Sequence, residues 1–137
     1  MGFTNARILA MMSAELNGGT IAAGQHRYIS FADASYNLLS TVPRMDITGW
    51  TPPAAGTDGS ALSYVNSGAP SVTPTGNASI SYWATYDTAV SGGTRTSAWL
   101  PVTGAPIPVT TADTVSIAAG ALTISGHQIT NPPHTVT

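Results

Sequence analysis

Ala78-Ser79-Ile80-Ser81-Tyr82-Trp83-Ala84-Thr85-Tyr86 decides the fold class. The side chains change character at every second position, the repeat of an extended strand rather than of a helix. Ile80, Tyr82, Ala84 and Tyr86 fall on one face, and Ser79, Ser81, Trp83 and Thr85 on the other. The spacing therefore predicts a strand over residues 78–86 with Tyr82 and Tyr86 in the core. Trp83, on a face otherwise made of hydroxyls, is expected at the surface or in a subunit interface.

Shorter runs of the same kind lie on either side. Residues 26–31, 60–66, 96–102, 107–110, 114–118 and 121–125 alternate or are rich in β-branched and aromatic residues. The 96–102 run centres on Trp99 and Leu100. Turn residues separate the runs: Asp58-Gly59, Ser91-Gly92-Gly93 and Ala118-Ala119-Gly120, the last read as a hairpin between its flanking runs. Pro52-Pro53, Pro70 and Pro74 mark residues 43–77 as mostly loop, and Pro106 and Pro108 confine Ile107 and Val109 to an edge strand. Many short strands with regular turn signals predict an all-β fold, an antiparallel β-sandwich of jelly-roll-like form.

The period differs only at the N-terminus. Residues 3–17 read as one short α-helix, capped by Thr4, stapled by Phe3 against Ile8, and stopped by Gly18-Gly19. Ile8, Leu9, Met12 and Leu16 form a narrow apolar stripe. A helix this short is marginal alone in water, so the stripe is expected to dock on something. Three regions follow: a helical arm (1–19), the β-sandwich (20–126) and an extended, proline-containing tail (127–137).

Composition limits the functions. Ala (20), Thr (20), Ser (14) and Gly (14) make up half of the 137 residues, while charged residues are only 7%. There is no lysine, and four arginines face six carboxylates for a net charge of −2. That is no basic footprint for nucleic acid. No apolar run approaches the ~20 residues of a membrane span, and the N-terminus lacks the layout of a signal peptide. The absence of cysteine removes disulfide and thiolate chemistry. So weakly charged a surface suits a protein covered by copies of itself or by partners.

Reactive constellations are missing. His26, His127 and His134 have no metal-ligand spacing, and no metal or other cofactor is expected. Asp58 and Asp113 read as turn residues bonding local N–H groups. There is no Gly-x-Ser-x-Gly elbow and no phosphate-binding loop. The expectation is a protein that is not an enzyme.

Four segments carry a resemblance. They are the helix from Thr4 to Leu16, the run Tyr28-Ile29-Ser30-Phe31-Ala32-Asp33-Ala34, the stretch from Ile80 to Thr94 with its Ser91-Gly92-Gly93 turn, and Asp113-Thr114-Val115-Ser116-Ile117-Ala118-Ala119-Gly120-Ala121-Leu122-Thr123-Ile124-Ser125. In this order they resemble small virion structural proteins of tailed phages, especially phages of actinobacteria. The resemblance implies a non-enzymatic virion protein, assembled in the host cytoplasm. The resemblance covers head-decoration, tail-fibre-like and minor tail proteins; the short chain, with no fibre-like repeat or shaft segment, favours a capsid decoration or cement protein on the major capsid protein, and the sparse charge a homo-oligomer, a trimer by expectation. A tail or fibre component bound to tail proteins, with loops toward the host, is one alternative. A carbohydrate-binding module stacking Trp83, Tyr86 and Trp99 on sugar rings is another. The expected protein-interface residues are Ile8, Leu9, Met12, Leu16, Trp83 and Trp99.

Overall fold

A computed structural model describes residues 5–18, 20, 26–51 and 62–126. The expected Thr4 cap, the Ile8 side chain, the Pro52-Pro53 and Asp58-Gly59 turns and the tail 127–137 lie outside the described residues. The chain consists mostly of strands in antiparallel sheets, with one short helix.

The helix α1 (Asn5–Asn17) forms where alanines at 6, 10 and 14 favour it. It ends at Gly18, whose φ of 72° takes the left-handed region while its N–H still reaches the Ala14 carbonyl at 3.1 Å. Eleven strands follow among the described residues: β1 (Tyr28–Ala32), β2 (Met45–Asp46), β3 (Trp50–Thr51), β4 (Leu62–Asn66), β5 (Ser71–Val72), β6 (Ala78–Ile80), β7 (Tyr82–Tyr86), β8 (Leu100–Pro101), β9 (Ile107–Val109), β10 (Val115–Ser116) and β11 (Thr123–Gly126). They form a four-stranded sheet β2-β1-β7-β8, a three-stranded sheet β11-β4-β3, and the pairs β10-β5 and β6-β9.

The deciding stretch departs from its expected phase. It is two strands, broken at Ser81. Tyr82 is the register partner of Ala32, and the Ser81 N–H donates to the same Ala32 carbonyl at 2.8 Å. Two residues thus oppose one, the geometry of a β-bulge, and every side chain beyond it changes face. Ile80 before the bulge and Trp83 after it therefore enter the same core. Trp83, expected at the surface, is only 6% exposed. Tyr82 is half-buried on the opposite face, where it stacks on Tyr36 with ring centroids 4.5 Å apart.

Two further expectations change. The Ala118–Ala121 segment does turn, with the Ala121 N–H on the Ala118 carbonyl, but it is no hairpin: β10 pairs with β5 and β11 with β4. The 96–102 run yields only β8. Beside Thr85, the Thr96 N–H reaches the Thr85 carbonyl at 2.8 Å, but the Thr85 N–H donates to the Ser97 hydroxyl at 2.9 Å. A side-chain oxygen takes the acceptor's place there, so the ladder is interrupted and continues as an isolated bridge between Tyr86 and Arg95. The proline-bearing β9 is, as expected, at an edge, paired among the described residues with β6 alone.

The core lies on one face of the four-stranded sheet. Ile29, Phe31, Met45 and Trp83 point there from β1, β2 and β7, and Val109, Ile117 and Leu122 close over them. The buried Asn66 joins β4 to the turn opposite. Its amide donates to the Gly68 and Ala118 carbonyls at 2.7 and 2.9 Å, and its carbonyl accepts the Leu122 N–H at 2.8 Å.

The described aspartates tie turns. Asp113 accepts the Thr110 N–H, Asp87 the Thr94 N–H, and Asp33 the N–H groups of Ser35 and Asn37. Asp46 accepts the Thr48 N–H and a two-pronged contact from Arg27. Hydrogen bonds from Asn37 hold the Asp33 carboxyl below its ordinary pKa, and the Arg27 hydrogen bond does the same for Asp46. These contributions are present above the unfolded carboxylate pKa and are lost as pH falls through the lowered folded values. The melting temperature is therefore expected to drop through that acid window. Asp46→Asn should flatten the drop in a calorimetric pH series.

Candidate assembly site

The stripe on α1 is uncovered. Leu9, Met12 and Leu16 are 67%, 53% and 75% exposed, and the buried core takes none of the helix's described side chains. Their i, i+3, i+7 spacing sets them on one side. The three described members of the expected stripe thus sit together at the surface, with Ile8 on the same helix.

The two tryptophans are not brought together. Trp83 faces the core beside Phe31, its register partner, so it has no face to offer a subunit or a sugar. That corrects its place among the interface residues. Trp99 is half-buried on the other side of the sheet, against Tyr86 at 6.4 Å, with the Arg95 guanidinium 5.1 Å above it.

That second face carries a residue the sequence did not single out. Arg44 sits just before β2, which pairs with β1, and so reaches the outer face of the sheet. Its guanidinium lies 3.9 Å over the Tyr86 ring. Its Nε donates to the Ser30 hydroxyl at 2.7 Å, and Nη1 donates to the Thr88 and Val90 carbonyls at 3.0 and 2.6 Å. One side chain thereby holds the 87–94 loop onto β1. Gly93 closes that loop with φ 69°, and a Cβ there would strike Thr88 and Asp87. The only hint in the sequence is an arginine after Pro43 in a chain with four. Arg44→Met, which keeps the stem, is expected to cost about 2 kcal/mol by losing charge-assisted hydrogen bonds. Hydrogen exchange of amides 87–94 should accelerate. Arg44→Lys should rescue little, because an ammonium lacks the planar fork.

On the core side the closure is incomplete. An open cleft of about 500 Å³ lies between the β1–β7 face and the 101–122 segment. Phe31, Ile80 and Trp83 line one side, and Val109, Val115, Ile117 and Leu122 the other. Among the described residues of its lining none is charged. Thr114 and Ala121 stand exposed at its mouth.

Among the described residues no group of three His, Asp or Glu side chains could hold a metal ion, and no helix is long and apolar enough to cross a membrane. The described site therefore consists of apolar surface: a stripe that projects and a cleft that recedes. Comparison with known proteins finds no matching family model, no matching curated protein and no matching solved structure.

Proposed function

We propose that this protein is a non-enzymatic structural protein of a virion, a capsid decoration or cement protein that acts through self-assembly on the shell. In this reading the four-stranded sheet and the strands over its core face are the two layers of a jelly-roll-like β-sandwich. The observation that carries the proposal is the uncovered stripe of α1, on a chain whose surface has little charge to keep it monomeric. The resemblance of its segments to small phage virion proteins supplies the setting.

Magnitudes favour assembly over a simple pair. Burying three Leu- or Met-sized side chains is worth roughly 5–9 kcal/mol gross. Association costs about 4–15 kcal/mol in lost freedom. One stripe alone therefore binds weakly. A closed ring on a lattice, where each copy both gives and receives a contact, makes the weak contact sufficient. This fits an oligomer such as a trimer seated on the major capsid protein.

The test is the amount of this protein in purified particles, measured by mass spectrometry against the major capsid protein. A copy number of the same order as the capsid protein supports decoration. A small fraction of it moves the protein to the tail, with its loops toward the host. Absence from particles sinks the virion reading.

A further inference from the structure

We infer that the outer side of the four-stranded sheet carries a binding site for a small aliphatic carboxylate, anchored on Arg44. The site takes no residue from α1 and does not depend on the assembly reading.

A pocket of about 370 Å³ opens between the loop after β1 and the loop after β7. Leu38, Leu39 and Val42 line it from the first loop and Val90 from the second, with Ser30 and Arg44 between them. Its rim is accessible: Leu38 is 43% and Val90 71% exposed, and Arg44 is only half-buried. Arg44 brings a positive charge and no carboxylate to answer it. Among the described residues the ion pair is Arg27 with Asp46, and Arg44 makes none. Asp87, the carboxylate of the second loop, is turned to the Thr94 N–H at 2.7 Å. A half-buried cation held by neutral oxygens alone keeps an uncompensated charge, which an anion from outside offsets.

The guanidinium is also fixed before any ligand arrives. Its Nε is spent on the Ser30 hydroxyl and its Nη1 on the Thr88 and Val90 carbonyls, while the Tyr86 ring lies 3.9 Å beneath. Nη2 bonds to none of the described residues, and it is not shut away from solvent. Its two N–H groups are therefore the donors left for a ligand. One cation with two free donors suits a carboxylate. A phosphate brings more charge and more acceptor oxygens than this site can answer. The aliphatic walls then take a short branched tail. Small-molecule sites run from roughly 300 to 1,000 Å³, so a pocket near the lower end selects an acid of few carbons.

The test titrates isotope-labelled full-length protein at neutral pH with isovalerate, isovaleramide and acetate, following amide resonances by NMR. Isovaleramide keeps the tail and loses the charge; acetate keeps the charge and loses the tail. Isovalerate is expected to bind about tenfold more tightly than either. The amides of Ser30, Leu38, Val90 and Ser91, all in the pocket lining, should shift together. Because the three probes are compared on the wild-type protein, the part Arg44 plays in holding the 87–94 loop does not enter the comparison. Val90→Asp sets a carboxylate on the exposed rim. It should weaken isovalerate about tenfold while the unfolding curve stays that of wild type. Isovaleramide binding as tightly as isovalerate would overturn the inference, since the cation then plays no part. Acetate binding as tightly would overturn it too, since the walls then play none. So would shifts confined to residues outside the pocket, the absence of any saturable shift, or undiminished binding to Val90→Asp.

Discussion

Replacing Asn66 with aspartate is expected to lower stability by about 4 kcal/mol at neutral pH, and by much less in acid. Asn66 is 1% exposed, and its amide nitrogen faces two carbonyl oxygens, those of Gly68 and Ala118. Aspartate keeps the shape and the acceptor for the Leu122 N–H but replaces that donor with a charged oxygen. A buried charge without a partner costs about 3–5 kcal/mol. Burial and the facing carbonyls raise the new carboxyl's folded pKa above its unfolded value of ~3.9. The penalty is thus small below the unfolded value and grows as pH rises through the folded one. Asn66→Ala separates the causes. It removes the side-chain bonds to the Gly68 carbonyl and from the Leu122 N–H, leaves the Ala118 carbonyl with the Ala121 N–H, and should cost about 3 kcal/mol at every pH. Urea unfolding of wild type and both variants at pH 4 and pH 7 gives the differences. An aspartate penalty that does not shrink in acid would mean that the amide's donors are not what matters there.

The features that were legible in the sequence are local, and those that were not depend on pairing. The helix, its Gly18 stop and its apolar stripe follow from spacing within a few residues, and α1 carries all three. The alternation around Tyr82 located a central strand correctly, because a period of two survives whichever face is buried. The face itself was not legible. Ser81 reads as one more small residue in the alternation, yet the bulge there reverses everything after it. Polarity could not reveal the reversal, because both faces of β1 and β7 are covered. Ser30, Ala84 and Thr85 are as buried as Ile29 and Phe31. The same holds for the residues that fasten the fold. Asn66 looks like the polar end of a strand, and Arg44 like a loop cation. Their partners lie 52 and 44 residues away, at Ala118 and Thr88, where no window of sequence brings them together. The stripe was legible because its spacing is local; the cleft opposite Phe31 was not, because six separate strands build it.

Trp83→Ala is expected to cost about 3–5 kcal/mol, the usual loss for emptying a large aromatic from a core. A domain of this kind has about 5–15 kcal/mol in total, so the variant should lose about a fifth or more of its stability. The argument runs through the bulge. If the 78–86 strand were continuous, Trp83 would lie on the outer face, and truncating it would weaken assembly while leaving unfolding nearly unchanged. With two residues opposing Ala32, the indole instead lies against Phe31 and among Ile80, Val109 and Leu122. Truncation then enlarges a cleft that is already open, and the core face of the four-stranded sheet loses its largest side chain. Leu16→Ser is the opposite case. Leu16 is 75% exposed, so its loss should move stability by no more than about 0.5 kcal/mol. The two variants therefore cross: one lowers the urea midpoint, and the other lowers the sedimenting mass at a midpoint unchanged from wild type. Trp83→Phe, which keeps a ring in place, should fall between wild type and the alanine variant in stability. Should Trp83→Ala unfold like wild type but sediment as a monomer, the phase reversal at Ser81 is wrong, and the tryptophan returns to the interface.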